Sequence, residues 1–351
     1  MAAASGVAIR NARTKILFVL DEFPGPYAGT ESQFWLLLQG LDRRIFEPAI
    51  MLLRSSAYLD QHARDIPLHV LHVPRLKTLS GLARIARASF WARRNGYKLA
   101  HIFLNDSTLA FPLPLQLTGC KVIVSRRDLG FWYTSVNLPI LRFQARFVDA
   151  VVSNCAAVKE AVVRSEGFAP KQVHVIYNGL ARESGVVAAL SRSTLGISPQ
   201  ANVVVVVANL RPLKRIADIV RALPALSQRS SCPTHLLVVG EDRAGESGSS
   251  HRSELESLGR ELGVADRLHF LGRMDDPMPA ISIADVGVLS SDTEGLSNVV
   301  IEYMSAAKPV VATRVGGNAE LVCEGVTGYL VEPRDVPALT GALELILNDR
   351  Y

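Results

Sequence analysis

The sequence predicts an α/β fold made of two doubly wound parallel-sheet domains in tandem. Three observations predict it. The chain has 351 residues, too many for one typical core and enough for two. Short apolar runs of strand length alternate with helical stretches, the pattern of parallel strands joined by crossover helices. That alternation breaks at Tyr177-Asn178-Gly179 and then resumes. Apolar residues make up 48% and charged residues 20%, a balance ordinary for a globular protein, and no apolar run reaches the ~18 residues of a membrane span.

The elements follow in order. Residues 1–13 are small and mostly uncharged, with only Arg10 and Arg13, and read as a loose N-terminal tail without the features of a signal peptide. The first domain, 14–180, has strands at 15–20, 48–53, 68–73, 99–104, 121–124, 149–152 and 173–176. A helix over 31–41 places Phe34, Leu37, Leu38 and Leu41 on one face, and a second over 81–98 places Leu82, Ile85, Ala86, Ser89 and Phe90 on one face. Residues 181–201, rich in Ser, Gly and Ala, form the expected connection. The second domain, 202–351, has strands at 203–207, 235–239, 268–270, 286–289, 309–313 and 328–331, with helices at 214–226, 251–262, 298–307 and 319–322. Two such domains are expected to face a central cleft, with ligands at the carboxyl ends of the strands.

Charge and cysteines narrow the class. Residues 1–180 hold 22 Lys+Arg against 12 Asp+Glu, a net of +10, while the remainder holds 16 against 21, a net of −5. A basic first half fits an anionic partner such as a membrane surface or charged glycan, or else simply a solvated surface. The four cysteines are dispersed, which suits a reducing cytoplasm and gives neither a disulfide framework nor a zinc site. No GxGxxG follows the first strand of either domain, which argues against a nicotinamide enzyme.

Two stretches carry chemistry. "VVVVVANLRPLKRIADIV" sets Arg211, Lys214 and Arg215 between a strand and the start of a helix. Cations are disfavoured at a helix N-terminus, so they either hold an anion there or point to water. "SDTEGLSNVVIEYMSAAKPVVA" carries Glu294 and Glu302. Ser297 is the expected N-cap, and Gly295-Leu296-Ser297 would offer backbone N–H groups to phosphate oxygens. Glu302, about 7–8 Å further along the helix axis, either faces a ligand, where a carboxylate can hold neighbouring hydroxyls, or is a surface residue flanking the core.

"EGLSNVVIEYMSAAKPVVATRVGGNAELVCEGVTGYLVEPRD" resembles the signature of the retaining nucleotide-sugar glycosyltransferases of family 4, which have the GT-B fold. "VANLRPLKRIADIVRAL" is similar to the family's phosphate-binding stretch, and "HLLVVGEDRAG", "LGVADRLHFLGRMDD" and "ISIADVGVLSSDTEG" fall in its order. "VIYNGL" is similar to the domain junction and "AGTESQFWLLLQGL" to the N-terminal glycine loop. The likeness is nearly continuous over 203–335 and looser before 180.

The resemblance implies transfer of a hexose-type sugar from a nucleoside diphosphate sugar to an acceptor hydroxyl on a glycan or lipid-linked glycan. It implies no cofactor, no metal and no nucleic-acid partner. Glu294 would approach the transferred sugar, Glu302 the ribose, and Arg211 and Lys214 the diphosphate, with backbone groups near Leu296 and Ser297 sharing that charge. Gly272, Arg273 and Met274 would line the base, and Gly29 would admit phosphate or acceptor. Arg126, Arg127 and Asp128, after a strand of the first domain, are the acceptor-side candidates, with Asp128 a candidate catalytic group. Otherwise Arg127 and Asp128 form a surface ion pair. His101 reads as a core histidine and Asn105-Asp106-Ser107 as a helix cap. The family's glycine pair is here Ala28-Gly29, a helix-ending glycine is replaced by Ala307, and "LELILNDRY" stops where family members continue with crossover helices. Other readings on this fold are a sugar-nucleotide epimerase and a non-catalytic sugar-nucleotide binder. Arg84, Arg87, Arg93, Arg94 and Lys98 with Phe90 and Trp91 read as a helix suited to an anionic lipid surface, or as an ordinary solvated basic side. The expected location is cytoplasmic, peripheral to the inner face of the membrane.

Overall fold

The computed structural model describes residues 13–73, 75–76, 78–180, 190–229, 232–242 and 250–348. Residues 1–12 of the expected tail, 181–189 of the expected connection and the final 349–351 lie outside them. The chain divides into two compact units. One comprises Met1–Arg126, Trp132–Ser153 and Val162–Val175; the other comprises Arg127–Phe131, Asn154–Ala161 and Ile176–Tyr351.

The first sheet has seven parallel strands. In chain order its elements are β1 (Thr14–Leu20), α1 (Gly29–Gly40), β2 (Phe46–Leu52), α2 (Ala57–His62), β3 (Leu68–Val70), α3 (Leu79–Arg94), β4 (Leu99–Ile102), α4 (Asn105–Ala110), α5 (Pro112–Leu117), β5 (Lys121–Arg126), α6 (Asn137–Gln144), β6 (Ala150–Ser153), α7 (Ala156–Glu166) and β7 (Val173–Val175). The strand order is β3-β2-β1-β4-β5-β6-β7, so the winding reverses between β1 and β4. Phe18, Phe23, Phe34 and Phe103 pack as edge-to-face or tilted rings in the core of this unit. His101 Nε2 lies 2.9 Å from Ser125 Oγ and its ring sits against Phe103, a core placement.

Two expectations for this unit change. α4 begins at Asn105 with no side-chain cap of its own; Leu104, in the N-cap position, has φ 67°. The cap is instead Asp21, whose carboxylate accepts from the N–H groups of Asp106 (2.9 Å) and Ser107 (2.6 Å). Burial raises the Asp21 carboxyl to about 6. The apolar face of α3 is also rotated. It buries Gly81, Ile85, Ala88, Ser89 and Ala92, while Leu82, Ala86 and Phe90 are exposed. The reason is spacing: Ile85 shares one stripe with the small residues Gly81, Ala88, Ser89 and Ala92, which let the helix lie close, and that stripe excludes 82, 86 and 90.

The second sheet has six parallel strands. Its elements are β8 (Asn202–Val207), α8 (Ile216–Arg229), β9 (Thr234–Val239), α9 (His251–Glu261), β10 (Leu268–Gly272), α10 (Met278–Ile283), β11 (Val286–Leu289), α11 (Asn298–Ser305), β12 (Val310–Thr313), α12 (Asn318–Leu321), β13 (Gly328–Val331) and α13 (Val336–Asn348). The order β10-β9-β8-β11-β12-β13 reverses between β8 and β11. The valine run explains itself: Val204 and Val206 enter the cluster with Ile219, Leu223 and Leu343, while Val203 and Val205 enter the cluster with Ile281, Val300 and Tyr303. A strand covered on both faces reads as a continuous apolar run. α13 packs on α8 and β13.

Part of the expected connection, 190–201, belongs to this unit. Arg192 hydrogen-bonds the carbonyls of Ile283, Pro199 and Ala201 and pairs with Asp285 at 2.9 Å. Ile197 and Ala201 are buried in the core. Ala307 follows α11 in the left-handed region at φ 54°, the position where glycine carries no Cβ penalty.

Candidate functional site

The site lies at the carboxyl edge of the second sheet, where the winding reverses. The loop after β8 carries Arg211 and Lys214, and the loop after β11 carries Glu294 to Ser297. β8 and β11 pair only at Val204–Val286 and Val205–Gly287, then part. Tyr303 fills the opening. Its fully buried hydroxyl accepts from the Val207 N–H at 3.0 Å and lies 3.3 Å from the carbonyls of Val205 and Val288. The phenol thus takes the place of ladder bonds lost at the split. Gly287 makes room for it, since a Cβ there would sit 2.3 Å from the ring. Neither Tyr303 nor Gly287 stands out in the sequence, because the pattern marks them only as core.

The two loops are tied together. Ser290 Oγ donates towards the carbonyls of Lys214 (3.0 Å) and Arg215 (3.1 Å), and the Asp292 N–H donates to Leu213 O at 2.9 Å. Asp292 pairs with Arg334 through two 2.9 Å bonds, which hold its carboxyl below the usual carboxylate range. Lys214 Nζ lies 2.6 Å from Glu294 Oε1, with side chains 25% and 14% exposed. The structure therefore brings together the cation and the acid that the sequence placed on separate loops. Arg211 precedes a 3-10 turn, Pro212–Lys214, and is half-buried. Arg215 leaves the set: its guanidinium is bound by Asp218 at 2.9 Å through two nitrogens.

A glycine stack positions Glu294. Gly316 has φ 52°, and a Cβ there would lie 2.1 Å from the Glu294 carbonyl. The Gly317 N–H donates to Gly295 O at 2.6 Å. Gly295 in turn lies against the Arg127 carbonyl, 2.0 Å from where its own Cβ would be. Gly316 and Gly317 are missed by motif reading because their role is close approach, visible only in three dimensions. Ser297 is the N-cap residue of α11, as expected, yet it caps nothing: its hydroxyl bonds Asn318 Oδ1 at 2.7 Å. Among the described residues no side chain caps α11, so its first turn still presents donors to an anion. Leu296 is buried.

Glu302 is half-buried on α11, and among the described residues no side chain hydrogen-bonds its carboxylate. Burial, then the charge of Asp276, raise it to about 7. Gly272 ends β10 with φ 71°. Arg273 is exposed and pairs with Asp275 at 3.2 Å, while Met274 packs partly buried against the core.

The acceptor-side candidates separate. Arg126 is buried, and Nε and Nη2 bind Glu166 at 2.6 and 2.7 Å; Tyr133 donates to the same carboxylate at 2.5 Å. This salt bridge is sealed within the first unit, so the expected acceptor contact for Arg126 does not hold. Arg127 differs. Its Nη1 donates to Asn178 Oδ1 at 2.6 Å, its enclosed Nε has no partner, and no carboxylate of the described residues pairs with it. Desolvation lowers it to about 10. Asp128 accepts from the Gly130 N–H at 2.7 Å, a local turn in place of an ion pair with Arg127. Gly29 opens α1 in the first unit.

Comparison with known proteins places this architecture. A model of the family described as Glycosyltransferase Family 4 matches residues 27–183, and one described as Glycosyl transferases group 1 matches residues 201–349. The chain is 30% identical over 204 residues to the lipopolysaccharide core biosynthesis glycosyltransferase LpsE of Rhizobium meliloti, covering 58% of this chain and 55% of that protein. It is 33% identical over 193 residues to D-inositol 3-phosphate glycosyltransferase 2 of Catenulispora acidiphila, covering 53% and 45%. The chain thus spans about half the length of these relatives. Its fold is similar to that of Anabaena Alr3699/HepE, solved in complex with UDP and glucose, with a TM-score of 0.79 at 25% identity over 96% of this chain and 90% of that one. Two parallel-sheet units of this kind are those of GT-B glycosyltransferases. With both halves matched in order, the chain belongs to the group 1, family 4 glycosyltransferases.

Proposed function

We propose that this protein transfers a hexose-type sugar from a nucleoside diphosphate sugar to an acceptor hydroxyl, with retention of configuration and without a metal. The observation that carries this reading is the 2.6 Å contact of Lys214 with Glu294 across the point where the sheet reverses. A cation for a diphosphate and an acid for sugar hydroxyls meet there, beside an uncapped helix N-terminus. Arg211, Lys214 and the α11 backbone stabilise the charge that grows on the leaving phosphate, and those cations supply the positive charge a metal would otherwise bring. The bond from the anomeric carbon to the phosphate oxygen breaks as the acceptor oxygen bonds to that carbon on the same face. The acceptor proton passes to the departing phosphate. Glu302 holds the ribose hydroxyls, and Gly272, Arg273 and the Met274 backbone border the base. The UDP and glucose bound by the Anabaena relative favour a UDP-hexose as the first donor to test.

On the acceptor side, Gly29, Arg127 and Asp128 remain in the reading and Arg126 does not. Arg127, with no carboxylate partner among the described residues, suits a glycan or lipid-linked acceptor that carries negative charge. A cytoplasmic location with peripheral contact between the basic first unit and an anionic membrane completes it.

The test is release of nucleoside diphosphate from UDP-hexoses across an acceptor panel, with and without chelator. Glu294→Ala should lower transfer by about 100-fold or more, and Arg211→Ala should weaken donor binding about tenfold. Normal transfer by both variants sinks the assignment. Donor turnover without acceptor would indicate an epimerase, and tight binding without turnover a binding protein.

A further inference from the structure

We infer that the face of the first unit formed by α3, α5 and α6 docks onto the surface of an anionic lipid bilayer. This sharpens the membrane part of the reading above and rests on that part alone. α5 packs against α3 on one side, and on the other against the 3-10 turn Ala145–Phe147 that continues α6. Each of these helices leaves large apolar side chains in water. α3 buries Gly81, Ile85, Ala88, Ser89 and Ala92 and exposes Leu79 (89%) and Phe90 (66%). α6 buries Leu141 and Gln144, the latter's amide bonding Leu113 N–H and Leu109 O, and exposes Phe143 and Ile140. α5 buries Leu115 and exposes Leu117 (73%). A lone exposed leucine is ordinary, but large apolar side chains recurring on three neighbouring helices make a patch that another apolar phase covers.

Charge selects what covers it. The segments that form this face, 79–94, 112–117 and 137–147, contain six arginines and no acid. Arg87 and Arg94 are exposed around Phe90, and the Arg146 guanidinium lies 5.9 Å from the Phe143 ring. Apolar side chains ringed by arginines fit lipid headgroups and the acyl region beneath them. A second copy of this face would meet it with the same charge. Two residues expected to join this surface do not. Arg84 is spent on the carbonyls of Leu71 and His72, and Trp91 turns inward against His69 and Tyr97.

The experiment is sedimentation of the full chain with vesicles of phosphatidylcholine, alone or mixed with phosphatidylglycerol. The expected result is at least about tenfold stronger partition onto the mixed vesicles, abolished by high salt. Phe90→Ser with Phe143→Ser, and separately Arg87→Glu with Arg94→Glu, should each lower that partition about tenfold or more, with unchanged transfer to a soluble acceptor. Equal partition onto both vesicle types, or unchanged partition in both variant pairs, overturns the proposal. So does a dimer in solution that Phe90→Ser dissociates, which would assign the face to a second copy. Vesicle binding needs no sugar donor, so its failure leaves the catalytic reading standing, and the reverse also holds.

Discussion

The two sheets reverse their winding in the same way, yet the two reversal points are furnished differently. In the first unit the helix after β4 is capped by the protein's own carboxylate, Asp21 at the end of β1. In the second unit the helix after β11 has no side-chain cap, because Ser297 has turned to Asn318. A helix N-terminus attracts an anion, and the first unit supplies one internally where the second leaves the place open. The fold offers two positions for an anion, and side chains determine which one a ligand can take.

Making the second position resemble the first should have the largest effect. Ser297→Asp would place a carboxylate at the α11 N-terminus, and donor affinity should fall about 100-fold or more by like-charge repulsion. Titration calorimetry with UDP reads this directly, and an unchanged dissociation constant would break the contrast. Glu302 gives the next effect. Its carboxyl is raised to about 7, above its unfolded value, so ionising it costs the fold stability that is present at low pH. That stability is lost as pH rises through the window from the ordinary carboxylate range to about 7. Glu302→Gln should therefore raise stability on the order of 1–3 kcal/mol at pH 8 and little at pH 4, followed by denaturant titration at both. The smallest effect belongs to the first unit. Asp21→Ala removes a cap and should cost about 1 kcal/mol in the same titration, with UDP affinity unchanged.

Much of this was legible in the sequence. The strands were, because parallel strands covered on both faces read as unbroken apolar runs such as 203–207. So were Lys214 and Glu294 as candidates, the first because a cation at a helix start either holds an anion or points to water, the second through the family resemblance. Short helices such as α4 and α5 escaped, being about one to two turns long with proline or a distant cap setting their start. The rotated face of α3 escaped for another reason: Ile85 and Ser89 belong both to the expected stripe, with Leu82, Ala86 and Phe90, and to the buried one, with Gly81, Ala88 and Ala92, so the helical period alone does not choose between them. Arg126 and Arg127 look equivalent side by side, and only the position of Glu166 on α7 separates a sealed salt bridge from a guanidinium without an acid partner among the described residues. Sequence spacing carries no record of such distant partners.

Tyr303 bears on the loop that leads into α11. Its hydroxyl engages residues of both β8 and β11, so α11 cannot slide along the sheet without giving up these bonds together. The loop leading into α11 is thus braced before any ligand arrives, and binding loses less ordering entropy there. By hydrogen exchange, the Val207 amide should open only with the whole unit, keeping pace with its slowest core amides whether or not nucleotide is present.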